Sequence, residues 1–166
     1  MEVSMNPLVI IIMGSQKDEE HAKKITEKLE ELGLEYVCRI SSAHKTVEHL
    51  MDIVLEYEKM ERAKVYITIA GRSNGLSGVV DGLTSSPTIA CPPPSNSFSG
   101  MDILSSLRMP EAICPAVVLE PTNAALLAAK ILSLLDSKLK SCLESYRQKQ
   151  KNIVMESDVR ISCNLT

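Results

Sequence analysis

Leu8-Val9-Ile10-Ile11-Ile12-Met13-Gly14-Ser15-Gln16-Lys17-Asp18 is the stretch that decides the fold. Its first six residues are apolar without alternation and rich in β-branched side chains, so a strand built from them needs cover on both faces. Such a strand belongs inside a parallel sheet, between helix layers. Gly14 closes it, and the period then changes. From Lys17 to Leu32, Ala22, Ile25, Leu29 and Leu32 fall on one helix face with Lys and Glu on the other, and Gly33 is a natural C-terminal stop.

The same unit recurs along the chain. Glu35 to Ile40 reads as a second strand. Thr46 to Met60 reads as a helix with Val47, Leu50, Met51, Val54 and Leu55 on one side. Lys64 to Ala70 reads as a third strand, followed by a Gly-rich stretch from Gly71 to Gly78 and a short helix from Val79 to Leu83. Pro87 to Cys91 is a short fourth strand stopped by Pro92-Pro93-Pro94, a run that reads as a rigid connector or as the wall of a dry pocket. Ser95 to Gly100 is a polar loop before a helical turn from Met101 to Leu107. Ala116 to Glu120 is a fifth strand. A helical segment runs from Pro121 to about Lys149 with a break near Asp136, and Leu127, Ile131, Leu135, Leu139, Cys142 and Tyr146 recur along it. The last fifteen or so residues show no clear period and read as an arm or a disordered tail. Repeated strand–helix alternation predicts an α/β, three-layer αβα sandwich on a five-stranded parallel, flavodoxin-like sheet with a long C-terminal helical segment. We read 1–166 as a single catalytic domain, its core about 7–149 and its tail about 150–166.

Composition narrows the function. The chain has 166 residues, 45% hydrophobic and 23% charged, an ordinary globular balance. Aromatic residues are only 3% and Trp is absent, which argues against a stacking platform for single-stranded nucleic acid or a flavin. A net charge of −3 lacks the cation surplus that duplex binding needs. A phosphate must therefore be held by local geometry. The five Cys are odd in number and no pair has C-x-x-C spacing, which favours a reducing compartment over disulfides or zinc. The Asn164-Leu165-Thr166 sequon has no meaning in such a compartment. The apolar run Leu8 to Met13 is too short for a secretory segment, and no stretch nears the roughly 20 apolar residues of a membrane span. A cytoplasmic protein without membrane or nucleic-acid partners is expected.

In a doubly wound sheet, ligands sit beyond the carboxyl ends of the strands. The unusual polar residues do fall there. Ser15 and Asp18 follow strand one. They cap a helix start, or with its free N–H groups they bind an anion and sugar hydroxyls. Ser42, Ala43, His44 and Lys45 follow strand two. His44 is the one His in a loop, placed for proton transfer or held to backbone as a structural residue. His21 and His49 fall on polar helix faces and read as solvated. Lys45 is a phosphate-holding charge or a solvated Lys. Gly71, Ser73, Asn74 and Gly75 follow strand three. The stretch is not a P-loop. It reads as an Asn-Gly turn needing positive φ, or as a nest that lets a ligand approach backbone. Each Cys reads as a small buried hydrophobe.

Taken in order, GSQKD (Gly14 to Asp18), SSAHK (Ser41 to Lys45), AGRSNG (Ala70 to Gly75), CPPP (Cys91 to Pro94) and SSLRMP (Ser105 to Pro110) resemble aminoimidazole ribonucleotide carboxylase, a family of purine biosynthesis. The likeness runs from about Val9 to Leu135 and includes the late helix NAALLAAKIL, Asn123 to Leu132. One branch of that family is a mutase moving a carboxyl group from the exocyclic nitrogen to the ring carbon, and it usually carries a second His after strand three, in an A-A-H-L-P-G type motif. Arg72-Ser73-Asn74-Gly75-Leu76 has none. The resemblance is therefore to the branch that takes carbon dioxide directly.

The resemblance implies a small-molecule nucleotide substrate, with carbon dioxide as co-substrate and no ATP, biotin or metal. His44 would take the ring proton. Ser15 and Asp18 would hold the ribose phosphate with charge from Lys45. Ser42, Ala43 and Gly71 would line the substrate site, and Ser73, Asn74 and Gly75 would hold the carboxyl group. Lys17 departs from the family, which usually has a second Ser there. The family also implies a homo-oligomer, tetramer or octamer, and the Leu127 to Tyr146 stripe is a candidate contact surface, intrachain packing being the other reading. Rival readings are the mutase, a receiver or flavin module on the same fold, and a Cys91–His44 hydrolase. The last lacks a G-x-C-x-G elbow.

Overall fold

The computed structural model describes residues 6–162; Cys163 and the Asn164 sequon lie outside them. Five strands form one parallel sheet in the order β2-β1-β3-β4-β5, the flavodoxin-like winding. β1 spans Leu8–Met13, β2 Glu35–Ile40, β3 Lys64–Ile69, β4 Thr88–Ala90 and β5 Ala116–Val117. The helices are α1 (Glu19–Glu31), α2 (Val47–Glu58), α3 (Gly75–Leu83), α4 (Leu104–Leu107), α5 (Pro121–Leu132) and α6 (Ser137–Ser162). No described helix is long and apolar enough to cross a membrane.

All six residues of β1 are buried. Because side chains alternate across a strand, Val9, Ile11 and Met13 join one core cluster and Leu8, Ile10 and Ile12 the other. The first cluster takes cover from α1, α5 and the start of α6. There Ala124, Ala125, Ala128 and Ala129 are fully buried and let α5 lie close to α1. The second takes cover from α2 and α3 through Leu50, Ile53, Val54, Leu76 and Val80. Each fully buried Ile or Leu contributes about 1.5–3 kcal/mol relative to exposure. α1 ends as expected: Gly33 has φ +70°, and the Leu34 N–H donates to the Leu29 carbonyl at 2.9 Å.

Four expectations change. α2 is rotated relative to the apolar face read from sequence. Its buried side chains are Leu50, Ile53, Val54 and Tyr57, while Val47, Met51 and Leu55 stand exposed. The sheet covers only one side of the helix, and the sequence has apolar residues on more than that side. The segment 150–162 is helix, because α6 continues unbroken to Ser162. Its apolar side chains there, Ile153, Val154, Met155, Val159 and Ile161, are all exposed, which is why no inward-facing period is visible. The stripe on α5 and α6 is largely intrachain packing. Leu127, Ile131, Cys142 and Tyr146 lie against the core and Leu139 is buried, leaving Leu135 exposed in the break. Finally, α3 begins four residues earlier than read, at Gly75.

Candidate functional site

β1 and β3 lie side by side at the point where strand order reverses, so the loops leaving them open a crevice. A cleft of about 640 Å³ occupies it. Ser15, Asp18, Ser42, Ala43, His44, Lys45, Gly71 and Ser73 line it, so eight of the ten residues singled out from sequence converge there. Asn74 and Gly75 do not line it.

The first wall is the β1 turn. Gln16–Asp18 form a 3₁₀ turn ahead of α1. The Asp18 carboxylate accepts from the Ser15 N–H at 3.0 Å and from its hydroxyl at 3.3 Å. These two bonds, with the Asp18 N–H donating to the Ser15 carbonyl at 3.2 Å, hold both polar groups at the cleft edge. The second wall is the β2 turn, which ties itself down. Buried Ser41 bonds the Thr46 hydroxyl at 2.9 Å, and Thr46 accepts from the Ser42 N–H at 2.9 Å. The His44 N–H donates to the Ser42 hydroxyl at 3.3 Å. His44 thus sits exposed on a braced loop, its ring free to meet a ligand.

Gly75 is the floor beneath that ring. A Cβ added there would lie 3.3 Å from His44 Nε2 and 3.4 Å from Cε1. The need for Gly is this close approach and not a left-handed turn. Gly75 opens α3, and the positive φ in the loop belongs to Arg72, at 59°. Asn74 is buried and caps α3. Its side-chain oxygen accepts from the Ser77 N–H at 3.3 Å and its amide donates to the Ser106 hydroxyl at 2.9 Å. The amide read as a ligand for the carboxyl group is therefore spent inside the fold.

Pro93 and Pro94 line the cleft, in keeping with the pocket-wall reading of that run, whereas Arg72 and Ser95 were missed and the place of Lys17 was left open. Arg72 stood inside a quoted motif, and its neighbours' position after β3 was signal enough. Lys17, Lys45 and Arg72 put three cations on the cleft against the one carboxylate of Asp18. That is a local anion-holding charge in a chain of net −3. His21 is also corrected. It is half-buried on α1, its Nε2 lies 3.3 Å from Cys91 Sγ, and its pKa is lowered, first by burial and then by Lys24. Cys91 is fully buried, as a small hydrophobe would be, and burial pushes its thiol up to about 12. A nucleophilic thiolate needs the opposite shift, so the Cys91–His44 hydrolase loses its nucleophile.

Fold and cleft together define a doubly wound α/β protein of the class that holds a small ligand at a strand switch point. Residues 8–153 match the family model described as AIR carboxylase, and the chain belongs to that family of purine-biosynthesis enzymes. It is 56% identical over 157 residues to the phosphoribosylaminoimidazole carboxylase of Treponema denticola, covering 95% of this chain and 99% of that one. It is 41% identical over 157 residues to the N5-carboxyaminoimidazole ribonucleotide mutase of Methanocaldococcus jannaschii, covering 93% and 97%. A crystal structure of Treponema denticola PurE, 56% identical, matches with a TM-score of 0.91 over 93% of this chain and 98% of that one. Both activities are thus named among its relatives.

Proposed function

We propose that this chain adds carbon dioxide directly to 5-aminoimidazole ribonucleotide, giving 4-carboxy-5-aminoimidazole ribonucleotide. The observation that carries this reading is the loop after β3. Arg72 and Ser73 line the cleft where, by the resemblance drawn above, the mutase branch has its second His. Among the described residues His44 is the only imidazole lining the cleft. One base suits a reaction with one bond made and one proton removed. The mutase must also break a nitrogen–carbon bond and return a proton to nitrogen.

In the proposed reaction the exocyclic amino group makes the ring carbon nucleophilic. Its electron pair attacks carbon dioxide, and one C=O pair becomes the carboxylate. The adduct then carries both a hydrogen and the carboxylate on one carbon. His44 takes that proton and the C–H pair restores the aromatic ring. Ser15 and the three cations hold the phosphate, and Asp18 accepts from sugar hydroxyls. Ser42, Ala43 and Gly71 shape the nucleotide site, and Ser73 receives the developing carboxylate. The reading asks for no ATP, biotin or metal, and places the reaction in the cytoplasm.

Purified protein given the nucleotide and bicarbonate without ATP is expected to form product. His44→Asn should lower turnover about 100-fold or more while nucleotide binding persists. Turnover only with the N-carboxylated nucleotide would make the chain the mutase.

We further propose a homo-oligomer, tetramer or octamer. Supporting it are the exposed Val47, Met51 and Leu55 on α2, Phe98, Met101, Leu104 and Leu107 around α4, and the apolar residues on the far half of α6.

A further inference from the structure

The loop that carries Ser73 is held from outside the cleft. Arg72 sits at φ 59°, a region costly for a side-chain-bearing residue unless its surroundings hold it there. Its N–H donates to the Asp102 carboxylate at 3.1 Å, and its carbonyl lies 2.7 Å from the Ser105 hydroxyl, whose single proton it shares with the Asp102 carbonyl at 2.8 Å. The same Ser105 oxygen accepts from the Asn74 N–H at 3.1 Å. Ser106, next in sequence, accepts from the Asn74 side chain. Backbone groups on both sides of Ser73 are thus fastened to one short segment, and none of its three holding residues lines the cleft. Among the described residues no hydrogen bond uses the Ser73 N–H or its hydroxyl, although its carbonyl accepts from Gly75. Ser73 itself lines the cleft, with both donors uncommitted.

The anchoring segment has its own distortion. Phe98, Ser99 and Gly100 have φ of 48°, 54° and 85°, which turns the chain back so that Asp102 and Ser105 face the β3 loop. Left-handed Arg72 is thus bonded to Ser105, five residues beyond the left-handed turn of the anchoring segment.

We infer that Ser105, supported by Asp102, is a positioning residue for carboxylation: it fixes Arg72 and Asn74 so that the Ser73 N–H and hydroxyl stay aimed at the carboxylate forming in the cleft. This rests on the role proposed above for Ser73. Donors that stabilise a developing charge work because they need no rearrangement during the reaction, and a serine between two tethered neighbours meets that condition.

The test is a substitution cycle with two readouts, nucleotide affinity by titration calorimetry and the carbon dioxide dependence of turnover. Ser105→Ala should raise the half-saturating carbon dioxide concentration roughly tenfold, because a loosened donor is a misplaced one. Nucleotide affinity should hold. Ser105→Thr, which keeps the hydroxyl, should restore wild-type behaviour, and Asp102→Ala should repeat the defect through the Arg72 N–H. Ser73→Ala should cost less in the Ser105→Ala background than alone, since the two act as a unit. Equal weakening of nucleotide binding, no rescue by Thr, or the same Ser73→Ala cost in both backgrounds would overturn the inference. Should the wild type accept only the N-carboxylated nucleotide, the carboxylase reading fails, while the Ser73 comparison on that substrate still decides the clamp.

Discussion

His44 and Gly75 show how much of a site can rest on one missing atom. The ring lies against the first residue of α3 because Gly75 has no Cβ to displace it. Since Gly75 is helical with negative φ, alanine fits the backbone and favours the helix. Gly75→Ala should therefore leave thermal stability unchanged or raised, yet cut turnover by about 10- to 100-fold by pushing the imidazole aside. Steady-state rates beside a melting curve check this. Cys91 supplies a prediction of a different kind. Its folded thiol keeps its proton up to about 12, whereas the unfolded thiol ionises from its ordinary 9.0. Between these values the folded state binds more protons, so stability falls as pH rises. The Cys91 share of the slope approaches about 1.4 kcal/mol per pH unit. Urea unfolding at pH 9 and 10 should show a shallower pH dependence in Cys91→Ala than in the wild type, since buried Tyr66, also raised, contributes alike to both.

At the scale of elements, α3 is the helix whose start makes the site, and Asn74 is the residue that starts it. Asn74→Ala removes a cap and leaves the buried Ser106 hydroxyl without its donor. The expected loss is about 1–3 kcal/mol of stability by denaturant titration. Exposed Ser73→Ala should stay within about 0.5 kcal/mol. The strands were legible because β1 is apolar throughout and β3 mostly so, broken by Lys64 and Thr68, and the sheet order because regular strand–helix alternation pointed to a flavodoxin-like winding. Eight site residues were legible because they follow strands. Asn74 was misread because a capping side chain and a ligand-binding one look alike in a polar loop. The α2 face was misread because three of its apolar residues face away from the sheet, so periodicity pointed between two directions. His21 was misread because its partner, Cys91, is 70 residues away in the chain.

For the whole molecule, the exposed apolar side chains on α2, around α4 and along α6 are the surfaces that the proposed assembly would cover. α6 alone is about 39 Å long at 1.5 Å per residue, and beyond Tyr146 its residues are almost all exposed. Sedimentation equilibrium should give the mass of four or eight chains, and Met51→Lys should shift it toward smaller species. A monomeric wild type would contradict the proposed assembly. A chain of net −3 would hold the proposed anionic nucleotide without a basic face, because its cations need only meet at one cleft.

In the proposed reaction carbon dioxide itself is joined to the ring carbon, with His44 as the single proton acceptor. Rapid mixing of enzyme and nucleotide with either dissolved carbon dioxide or bicarbonate, followed before the two interconvert, separates the alternatives. A fast initial phase with carbon dioxide and a lag with bicarbonate, both without ATP, is the predicted result. An immediate rate with bicarbonate, or no product from either and turnover only of the N-carboxylated nucleotide, would contradict it.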